Sequence, residues 1–519
     1  MIEQATLEDL PEILKRLAGV KETERAICTK TLAQKLEVPE SAITKDVAKL
    51  KRREAFDVKK LLNVKEETVE IGANLTDLGN ARRFVAIHGG DIRYCYPWAK
   101  WLVWDGKRWK VDDRGSVIRK AKETIMAIYQ EAAKTQDESQ RKDLARHGLK
   151  SEAEGKILAM IGLAESEPGI PILPDDMDVD PWLFNVPNGT LNLKSGELLP
   201  HKRENLLTKI SPVEYHPETP CPFWQDHLKR IFQGNENLIS FIQIALGYSL
   251  TGITDERAMF ICYGRGHNGK TTTMEIMADI LGDYAVRTPT ESVLIKREGA
   301  IPNDLAKLKG ARFVYCSETE EGKRLAESLI KDLTGGDTVS ARFMRGEWFT
   351  FRPEFKLWLS TNHRPVIRGT DDAIWARLRP IPFDFQFPEE ERIPRSQLWE
   401  KVTPELPGIL SWAVQGLKDW RQFGLFQPDE VKQATQGYRA EMDILGKFLE
   451  EKCSVSKRAD AAAKDLYAAY CQWCEGNGER VVSQRIFGAR LTERGFQNKR
   501  TEKGYLWLGI GLNVVNEPS

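Results

Sequence analysis

The sequence predicts a multidomain α/β protein whose central domain holds a parallel β-sheet. Three observations predict this class. At 519 residues the chain is long enough for about three or four domains. From about residue 258 onward, apolar strands alternate with amphipathic helices, the pattern of a parallel sheet. A glycine-rich turn joins the first of these strands to the next helix, as in phosphate-binding loops.

Composition excludes several classes of protein. The 76 Lys and Arg residues balance 76 Asp and Glu residues, so any nucleic-acid contact must come from a local basic patch. No apolar run approaches the roughly 20 residues of a membrane span, and the amino terminus has no signal-peptide core. We therefore expect a soluble, cytoplasmic protein with no membrane contact. The pair Cys471 and Cys474 lacks further zinc ligands nearby, so we expect two half-buried thiols.

Residues 1–65 predict a small helical domain. Apolar residues recur at helical spacing on both sides of a turn that contains Pro39, and the second helix is basic. This pattern is typical of a helix-turn-helix, and a helical spacer fits it equally well.

Residues 75–240 predict a mixed α+β accessory domain. Asp105-Gly106 separates two short strands, and Asn188-Gly189 opens a second hairpin. Between them, residues 116–165 have the periodicity of a helix. This segment has no His cluster and no carboxylate pair at metal spacing, so we expect no catalytic site in it.

The strongest motif follows the strand that begins at Met259. It reads G-x-x-x-x-G-K-T over residues 264–271 and continues as a helix. Backbone N–H groups of such a loop surround phosphate oxygens, and the helix N-terminus adds a partial positive charge. We expect Lys270 to face solvent and reach the β- and γ-phosphates, and the Thr271 hydroxyl to bind Mg²⁺. The candidate nucleotide-binding residues are Gly264, Arg265, Gly266, His267, Asn268, Gly269, Lys270, Thr271 and Thr272.

Two later strands end in polar side chains suited to the same site. The strand over residues 311–317 runs into Glu318 and Glu320, carboxylates of the kind that Mg²⁺ and an attacking water require. The strand over 355–361 ends at Asn362, whose amide can orient that water. Their order after the phosphate loop favours a functional role over two buried strands with solvated ends.

From Gly264 to Phe383 the chain resembles the motor of superfamily 3 helicases, an AAA+-type branch. The likeness is greatest to the helicase half of poxvirus-type and satellite-phage-type primase-helicases. It rests on the phosphate loop, Glu318 at the Walker B position, residues 331–337, Asn362 at the sensor position and residues 373–383. One departure is that Ser317, not an acid, precedes Glu318, which leaves Glu320 as an alternative second acid.

The resemblance extends beyond the motor and implies the remaining domain boundaries. Residues 75–81, 188–189 and 245–250 resemble the accessory domain that precedes such motors. The ATPase core then covers 241–390, a helical lid or linker 391–427, and a winged-helix tail 428–519. The implied cofactors are ATP and Mg²⁺, with Lys270, Glu318, Asn362 and Arg377 catalytic and Thr271 and Glu318 at the metal.

The resemblance also implies a ring, with six subunits expected, in which each ATP site receives an arginine from the neighbour. By its position after Asn362, Arg377 matches the arginine that the neighbour supplies, and Arg379 is the second candidate. The alternative is that this arginine forms only a surface salt bridge. Residues 339–349 alternate into a turn that contains Arg345. In such motors this hairpin lines the channel, with Arg345 on phosphate and Phe343 against a base or sugar, and Arg342 as a further contact. An ordinary edge hairpin is the alternative.

The predicted tail carries a local basic patch. Seven basic and two acidic residues between Arg480 and Lys503 give a local charge of +5. A helix from Ser483 to Gly495 and a basic turn before a strand at 505–510 predict a recognition helix and a wing on duplex DNA. A protein-docking wing fits the pattern nearly as well.

Together these features predict an ATP- and Mg²⁺-dependent, ring-forming DNA helicase. It would move 3′→5′ on single-stranded DNA during phage or plasmid replication in a bacterial cytoplasm. Its expected partners are single-stranded and forked DNA, further copies of the chain and a primase or polymerase, because residues 1–65 are too few for a primase fold. Two alternatives stay open: a P-loop ATPase acting on a protein, and an ATP-switched origin-binding or helicase-loading protein.

Overall fold

The computed structural model describes residues 31, 74–295, 303–317, 322–342, 348–369, 371–502 and 504–513. The chain divides into two compact units, one ending at Met177 and the other beginning at Asp178, except that residues 106–108 join the second. The division therefore falls inside the segment predicted as the accessory domain. The helix-turn-helix predicted over residues 1–65 lies outside the described residues, apart from Thr31.

Within residues 74–177, the first unit combines a three-stranded antiparallel sheet with four α-helices. In chain order its elements are α1 (Asp77–His88), β1 (Ile92–Cys95), β2 (Lys100–Trp104), β3 (Trp109–Val111), α2 (Ser116–Lys134), α3 (Glu138–Ser151) and α4 (Glu154–Ala164). Phe84, Ile125 and Met160 are buried in its core. The hairpin predicted at Asp105-Gly106 is the β2–β3 pair.

The single helix predicted over residues 116–165 is wrong: three helices occupy this segment. The first ends where Thr135 takes an extended backbone. The side chain of Asp137 then accepts a hydrogen bond from the Gln140 N–H and caps the next helix. A polar capping residue can start a new helix without interrupting the apolar periodicity, which is why the pattern alone shows no break.

The second unit begins with a three-stranded antiparallel sheet and two helices. These are β4 (Leu183–Val186), β5 (Gly189–Asn192), β6 (Glu197–Leu199), α5 (Pro222–Ile231) and α6 (Glu236–Ser249). The turn predicted at Asn188-Gly189 joins β4 to β5. Phe184, Trp224 and Phe241 share one buried cluster with Phe260 and Trp358 of the central sheet.

The central part of this unit contains a five-stranded sheet and a separate hairpin. Its elements in chain order are β7 (Met259–Tyr263), α7 (Lys270–Leu281), β8 (Ala285–Arg287), α8 (Asn303–Ala306), β9 (Phe313–Ser317), α9 (Glu327–Gly335), β10 (Val339–Arg342), β11 (Trp348–Phe351), β12 (Lys356–Thr361), α10 (Asp372–Trp375) and β13 (Leu378–Pro382). The sheet order is β13-β7-β12-β9-β8, and every neighbouring pair is parallel. The predicted α/β class with a parallel sheet is confirmed.

Helices α11 (Arg395–Val402), α12 (Leu406–Phe423) and α13 (Asp429–Met442) follow the sheet. Helix α12 packs against α6 at very short range through two glycines. A Cβ on Gly416 would lie 2.2 Å from the Gln243 carbonyl oxygen, and one on Gly247 would lie 2.3 Å from the Leu417 nitrogen. Only residues without a side chain permit this approach.

Residues 444–513 form the C-terminal domain. Its elements are α14 (Ile444–Lys452), β14 (Cys453–Ala462), α15 (Ala463–Gly476), α16 (Gln484–Glu493), β15 (Gln497–Thr501) and β16 (Gly504–Leu512), and the antiparallel strands are ordered β14-β16-β15. Phe448, Tyr470 and Trp507 are buried in a core of its own. Cys471 and Cys474 are free thiols on α15; Cys471 is half-buried, as expected, whereas Cys474 is fully buried.

Across the described ranges, none of the helices combines the length and the apolar character that a bilayer crossing requires.

Candidate functional site

The candidate site lies where β7, β9 and β12 end. In the sheet register Ser360 of β12 is paired with Cys262 of β7 on one side and with Ser317 of β9 on the other. The carboxyl ends of the three strands are therefore level, and β12 lies between the phosphate loop and the chain leading to Glu318. Ligands of open α/β sheets bind at this edge.

The phosphate loop is held by close contact with the residue that follows β13. Gly264 has a φ of 148°, and a Cβ there would lie 2.3 Å from the Phe383 carbonyl oxygen. The Asn268 side-chain amide donates a hydrogen bond of 2.7 Å to the same oxygen. Gly269, with a φ of 84°, then turns the chain into α7 at Lys270. The glycines of the motif thus serve the tight turn that the sequence predicts.

Lys270 joins the loop to β12. Its Nζ donates to the Gly264 carbonyl at 2.8 Å, to Asn268 Oδ1 at 2.8 Å and to Asn362 Oδ1 at 3.2 Å. The predicted closeness of Lys270 and the sensor-position Asn362 is therefore observed. The expectation that Lys270 faces solvent is wrong, because its side chain is only 5% exposed.

Burial makes the charge on Lys270 costly. Desolvation lowers the pKa of its amino group to about 8, and the nearby Cys262 has a smaller, opposite effect. The acceptors around Nζ are neutral carbonyl oxygens, which compensate the charge only in part. An incoming phosphate would supply the full negative charge that this group lacks.

A cavity of about 260 Å³ opens beside Lys270. It is lined by residues 266–272 of the loop and by Ser360, Thr361 and Asn362. The Thr271 and Ser360 hydroxyl oxygens are 3.5 Å apart. The sequence analysis did not select Ser360, although its place two residues before Asn362 puts it on the same strand end.

An aromatic cluster supports the other side of the loop. The His227 ring of α5 is stacked between Phe223, at 6.3 Å between centroids, and Phe387, at 5.7 Å. A Cβ on Gly269 would lie 3.5 Å from its Nε2. Burial, with a smaller contribution from the Arg230 charge, lowers the pKa of His227 to about 4, so the ring is neutral near pH 7. No sequence motif marks this histidine.

The acidic half of the predicted site is not described. Glu318 and Glu320 lie outside the described residues, and Ser317 is the last described residue of β9. Within the described residues there is no group of three or more His, Cys, Asp or Glu side chains that could hold a metal ion. A divalent cation beside Thr271 would thus depend on the undescribed carboxylates.

Arg377 lies at the opposite edge of the sheet from the phosphate loop. Its backbone carbonyl accepts from the Met259 N–H at the start of β7. Five residues of β7 separate that point from the loop, or about 16 Å at the usual strand rise. The half-buried side chain donates to the Ala373 carbonyl, and its Nε has no partner among the described residues. Arg377 therefore cannot serve the phosphate loop of its own chain.

The position of Arg379 argues against it as the second candidate for the arginine supplied to a neighbouring subunit. Its side chain is 7% exposed and donates to the Ala376 and Leu378 carbonyls of its own chain. A guanidinium buried in this way is not available to a neighbouring subunit.

The predicted hairpin exists as the β10–β11 pair, in which Arg342 is opposite Trp348. The guanidinium of Arg342 lies 5.3 Å from the centre of the Trp348 ring, and its Nε is buried with no partner among the described residues. Phe343 and Arg345, the other two predicted DNA contacts, lie outside the described residues.

These features define a class: a multidomain α/β protein with a glycine-rich loop of the phosphate-loop sequence pattern at the carboxyl edge of a parallel sheet. Comparison with protein families gives a more specific result. Residues 81–233 match a family described as D5 N terminal like, 262–377 match a family of unknown function, and 440–507 match a family described as Poxvirus D5 protein-like. Segments on both sides of the central sheet are therefore similar to D5-type families, and the predicted resemblance to the poxvirus type is confirmed.

Several relatives come from large DNA viruses. A protein named "Putative helicase" from Acanthamoeba polyphaga mimivirus is 26% identical over 326 residues, covering 58% of this chain and 34% of the relative. A "Putative helicase" of Frog virus 3 is 24% identical over 402 residues, covering 61% and 41%. A "Putative primase" of African swine fever virus is 26% identical over 375 residues, covering 64% and 37%. The chain thus spans about a third to two-fifths of the length of these relatives.

Among solved structures, the apo C-terminal region of NrS-1 (305–718) is similar to this chain with a TM-score of 0.49 and 11% sequence identity. The match covers 84% of this chain and 99% of that one.

Proposed function

We propose that this chain is an ATP- and Mg²⁺-dependent, ring-forming DNA helicase motor that moves 3′→5′ on single-stranded DNA. The observation that carries the proposal is the contact between Lys270 of the phosphate loop and Asn362 at the end of β12. It joins a phosphate-binding cation to an amide that can orient water. The names of the viral relatives, helicase and primase, support the same role in replication.

In this proposal Lys270 leaves its carbonyl partners and binds the phosphates of ATP. The amino group then exchanges hydrogen bonds to neutral carbonyl oxygens for contacts with negatively charged phosphate oxygens. This exchange is favourable when nucleotide is bound. Asn362 is then released from Nζ and becomes free to orient the attacking water. Mg²⁺, when bound, neutralises charge on the phosphates; Thr271 and Glu318 are the residues that would hold it.

The arginine that stabilises the transferring phosphoryl group must come from another subunit. Arg377 lies at the amino edge of the sheet and cannot reach the loop of its own chain. We assign it to the site of the neighbouring copy, which requires a ring or another head-to-tail assembly. A hexamer is the ring size that the resemblance implies.

DNA contact is assigned to the β10–β11 hairpin. Arg342 lies at the end of β10. Phe343 and Arg345 follow it in the sequence and lie outside the described residues. We propose that hydrolysis moves these hairpins along single-stranded DNA, with Arg345 on phosphate and Phe343 against a base or sugar. The C-terminal domain, interpreted as a winged helix, would bind duplex DNA or a primase or polymerase partner.

Nucleotide turnover with and without single-stranded DNA tests the proposal. We expect the ATPase rate of the wild type to rise with single-stranded DNA and that of Lys270→Ala to be absent in both conditions. An ATPase rate that DNA leaves unchanged would favour the alternative of an ATP-switched origin-binding or helicase-loading protein. A Lys270→Ala protein that retains most of its turnover would overturn the phosphate-loop assignment itself.

A further inference from the structure

A second cavity, of about 510 Å³, lies where the loop after β12 meets the C-terminal domain. It is separate in sequence from the phosphate-loop cavity, since the two share none of their lining residues. Its lining combines several arginines and aspartates from the loop, from α13 and α14 and from α16. The charged lining residues are Arg368, Asp371, Asp372, Arg439, Asp443, Arg490, Glu493 and Arg494.

Three of the carboxylates in this lining are already paired. Asp371 forms an ion pair with Lys331, Asp372 with Arg439, and Asp443 with Arg494. Arg368 and Arg490 are different: neither forms an ion pair with any residue in the described part of the chain. They are nonetheless adjacent, because the Arg490 guanidinium donates a 3.0 Å hydrogen bond to the Arg368 carbonyl.

Two further arginines belong to the same cluster. Arg324 forms a parallel bridge with Val366, two residues before Arg368, and its Nε is buried with no partner among the described residues. Arg480 is exposed and close enough for its charge to act on Arg368. Neither has a carboxylate partner within the described ranges. The cluster thus combines two arginines of the motor with two of the C-terminal domain.

The position of Arg368 is fixed by the backbone of its loop. The Glu327 carboxylate at the start of α9 accepts hydrogen bonds from the Arg368 and Gly369 N–H groups at 2.9 and 3.1 Å. Burial, and after it the charges of Arg324, Arg480 and Arg490, lower the pKa of Arg368, and the carboxylate of Glu479 offsets this only in part. The fold therefore holds like charges together at a cost, which an anion bound among them would offset.

We propose that Arg324, Arg368, Arg480 and Arg490 form a site for the phosphodiester backbone of DNA at the junction between the motor and the C-terminal domain. Arginine presents a planar fork that binds phosphate in a bidentate manner. The +5 segment between Arg480 and Lys503 extends the positive surface beyond the cavity. A polyanion can contact both, whereas a free phosphate cannot. This site rests on the proposed DNA role and is distinct from the β10–β11 hairpin.

Binding of labelled DNA by the full chain tests the site. The test variant is Arg368→Gln/Arg480→Gln, because neither side chain donates a hydrogen bond to another described residue. The matched control is Lys457→Gln/Arg458→Gln, which removes the same charge from two exposed positions of the C-terminal domain outside both the cluster and the +5 segment. The probes are a 20-base-pair duplex and a 20-nucleotide single strand, each titrated by fluorescence anisotropy at several salt concentrations.

We expect the test variant to bind at least one probe about tenfold or more weakly at low salt. The slope of log affinity against log salt should fall by about 1.8 on the duplex or about 1.4 on the single strand for two lost phosphate contacts. The probe that shows the loss identifies the form of DNA that the site binds. The control should change much less.

Two results would overturn the proposal: test and control variants that weaken binding equally, or a test variant with wild-type affinity and salt slope on both probes. A parallel titration with fluorescent ADP tests whether the cluster binds the phosphates of a nucleotide and not those of DNA. Loss of ADP binding in place of DNA binding would assign the cluster to nucleotide and also contradict the proposal. Because no step requires hydrolysis, the result stands even if the wild type shows no DNA-stimulated ATPase.

Discussion

Lys270 carries the most specific prediction at the scale of single residues. Its pKa of about 8 in this conformation is lower than the ordinary value of 10.5 because the side chain is buried. Below pH 8 the amino group is charged before nucleotide arrives. Above pH 8 it is neutral, and binding to phosphate then requires uptake of one proton.

We therefore expect ADP to bind about tenfold more weakly at pH 9 than at pH 7, with the loss beginning near pH 8. Calorimetric titration across this range, in two buffers of different ionisation enthalpy, measures both the affinity and the proton uptake. An affinity that stays constant up to pH 9 would show that the charge on Lys270 does not contribute in this way.

The sequence predicted the main partners at this scale and missed their surroundings. Lys270 and Asn362 could be predicted because a motif fixes the first and the end of an apolar strand marks the second. Ser360 and His227 could not, because their closeness to the loop depends on sheet register and on the packing of α5. The burial of Lys270 was missed for the same reason: a sequence does not show which carbonyl oxygens lie within reach of Nζ.

At the scale of elements, the phosphate loop offers a matched pair of substitutions. Gly264→Ala would place a methyl group 2.3 Å from the Phe383 carbonyl oxygen, at a φ that disfavours any side chain. Gly266→Ala meets no atom within 4 Å. We expect the first to abolish ADP binding and lower the melting temperature, and the second to keep the melting temperature near wild type. Equal melting temperatures of the two variants, measured by thermal unfolding, would contradict the described loop.

The contact between α6 and α12 offers a second pair. Gly416→Ala would force the helices apart, at a cost of about 1–3 kcal/mol in the free energy of unfolding. Gly437→Ala on the exposed face of α13 meets nothing within 4 Å and should stabilise by up to about 1 kcal/mol. Chemical denaturation of both variants measures the difference. A Gly416→Ala protein as stable as Gly437→Ala would show that the helices do not pack this closely.

The elements themselves were predicted unevenly. The hairpins at Asp105-Gly106 and Asn188-Gly189 and three strands of the central sheet, β7, β9 and β12, followed from turn residues and apolar runs, which are local signals. The edge strands β8 and β13 were not predicted. The break between α2 and α3 was missed because the apolar periodicity continues across it, and the capping residue Asp137 does not interrupt that pattern. The position of β12 between β7 and β9 required the folded sheet, since pairing order is not encoded in any single strand.

At the scale of the whole molecule, Arg377 predicts an assembly. Arg377→Ala should bind ATP but hydrolyse it about 10³-fold more slowly, as is usual when an arginine supplied by a neighbour is lost. Mixing Arg377→Ala with Lys270→Ala should restore part of the activity, because one chain contributes an intact site and the other the arginine. The measurement is ATPase rate against mixing ratio. If every ratio is inactive, Arg377 does not act between subunits.

Strand separation tests the central claim most directly. A forked DNA with a 3′ single-stranded tail, incubated with the wild-type chain, ATP and Mg²⁺, should be unwound, while a fork whose only tail is 5′ should remain paired. Replacing ATP with a non-hydrolysable analogue should stop unwinding without preventing DNA binding. Unwinding that proceeds equally with the analogue, or a chain that hydrolyses ATP on both forks and separates neither, would contradict the assignment of this protein as a helicase motor.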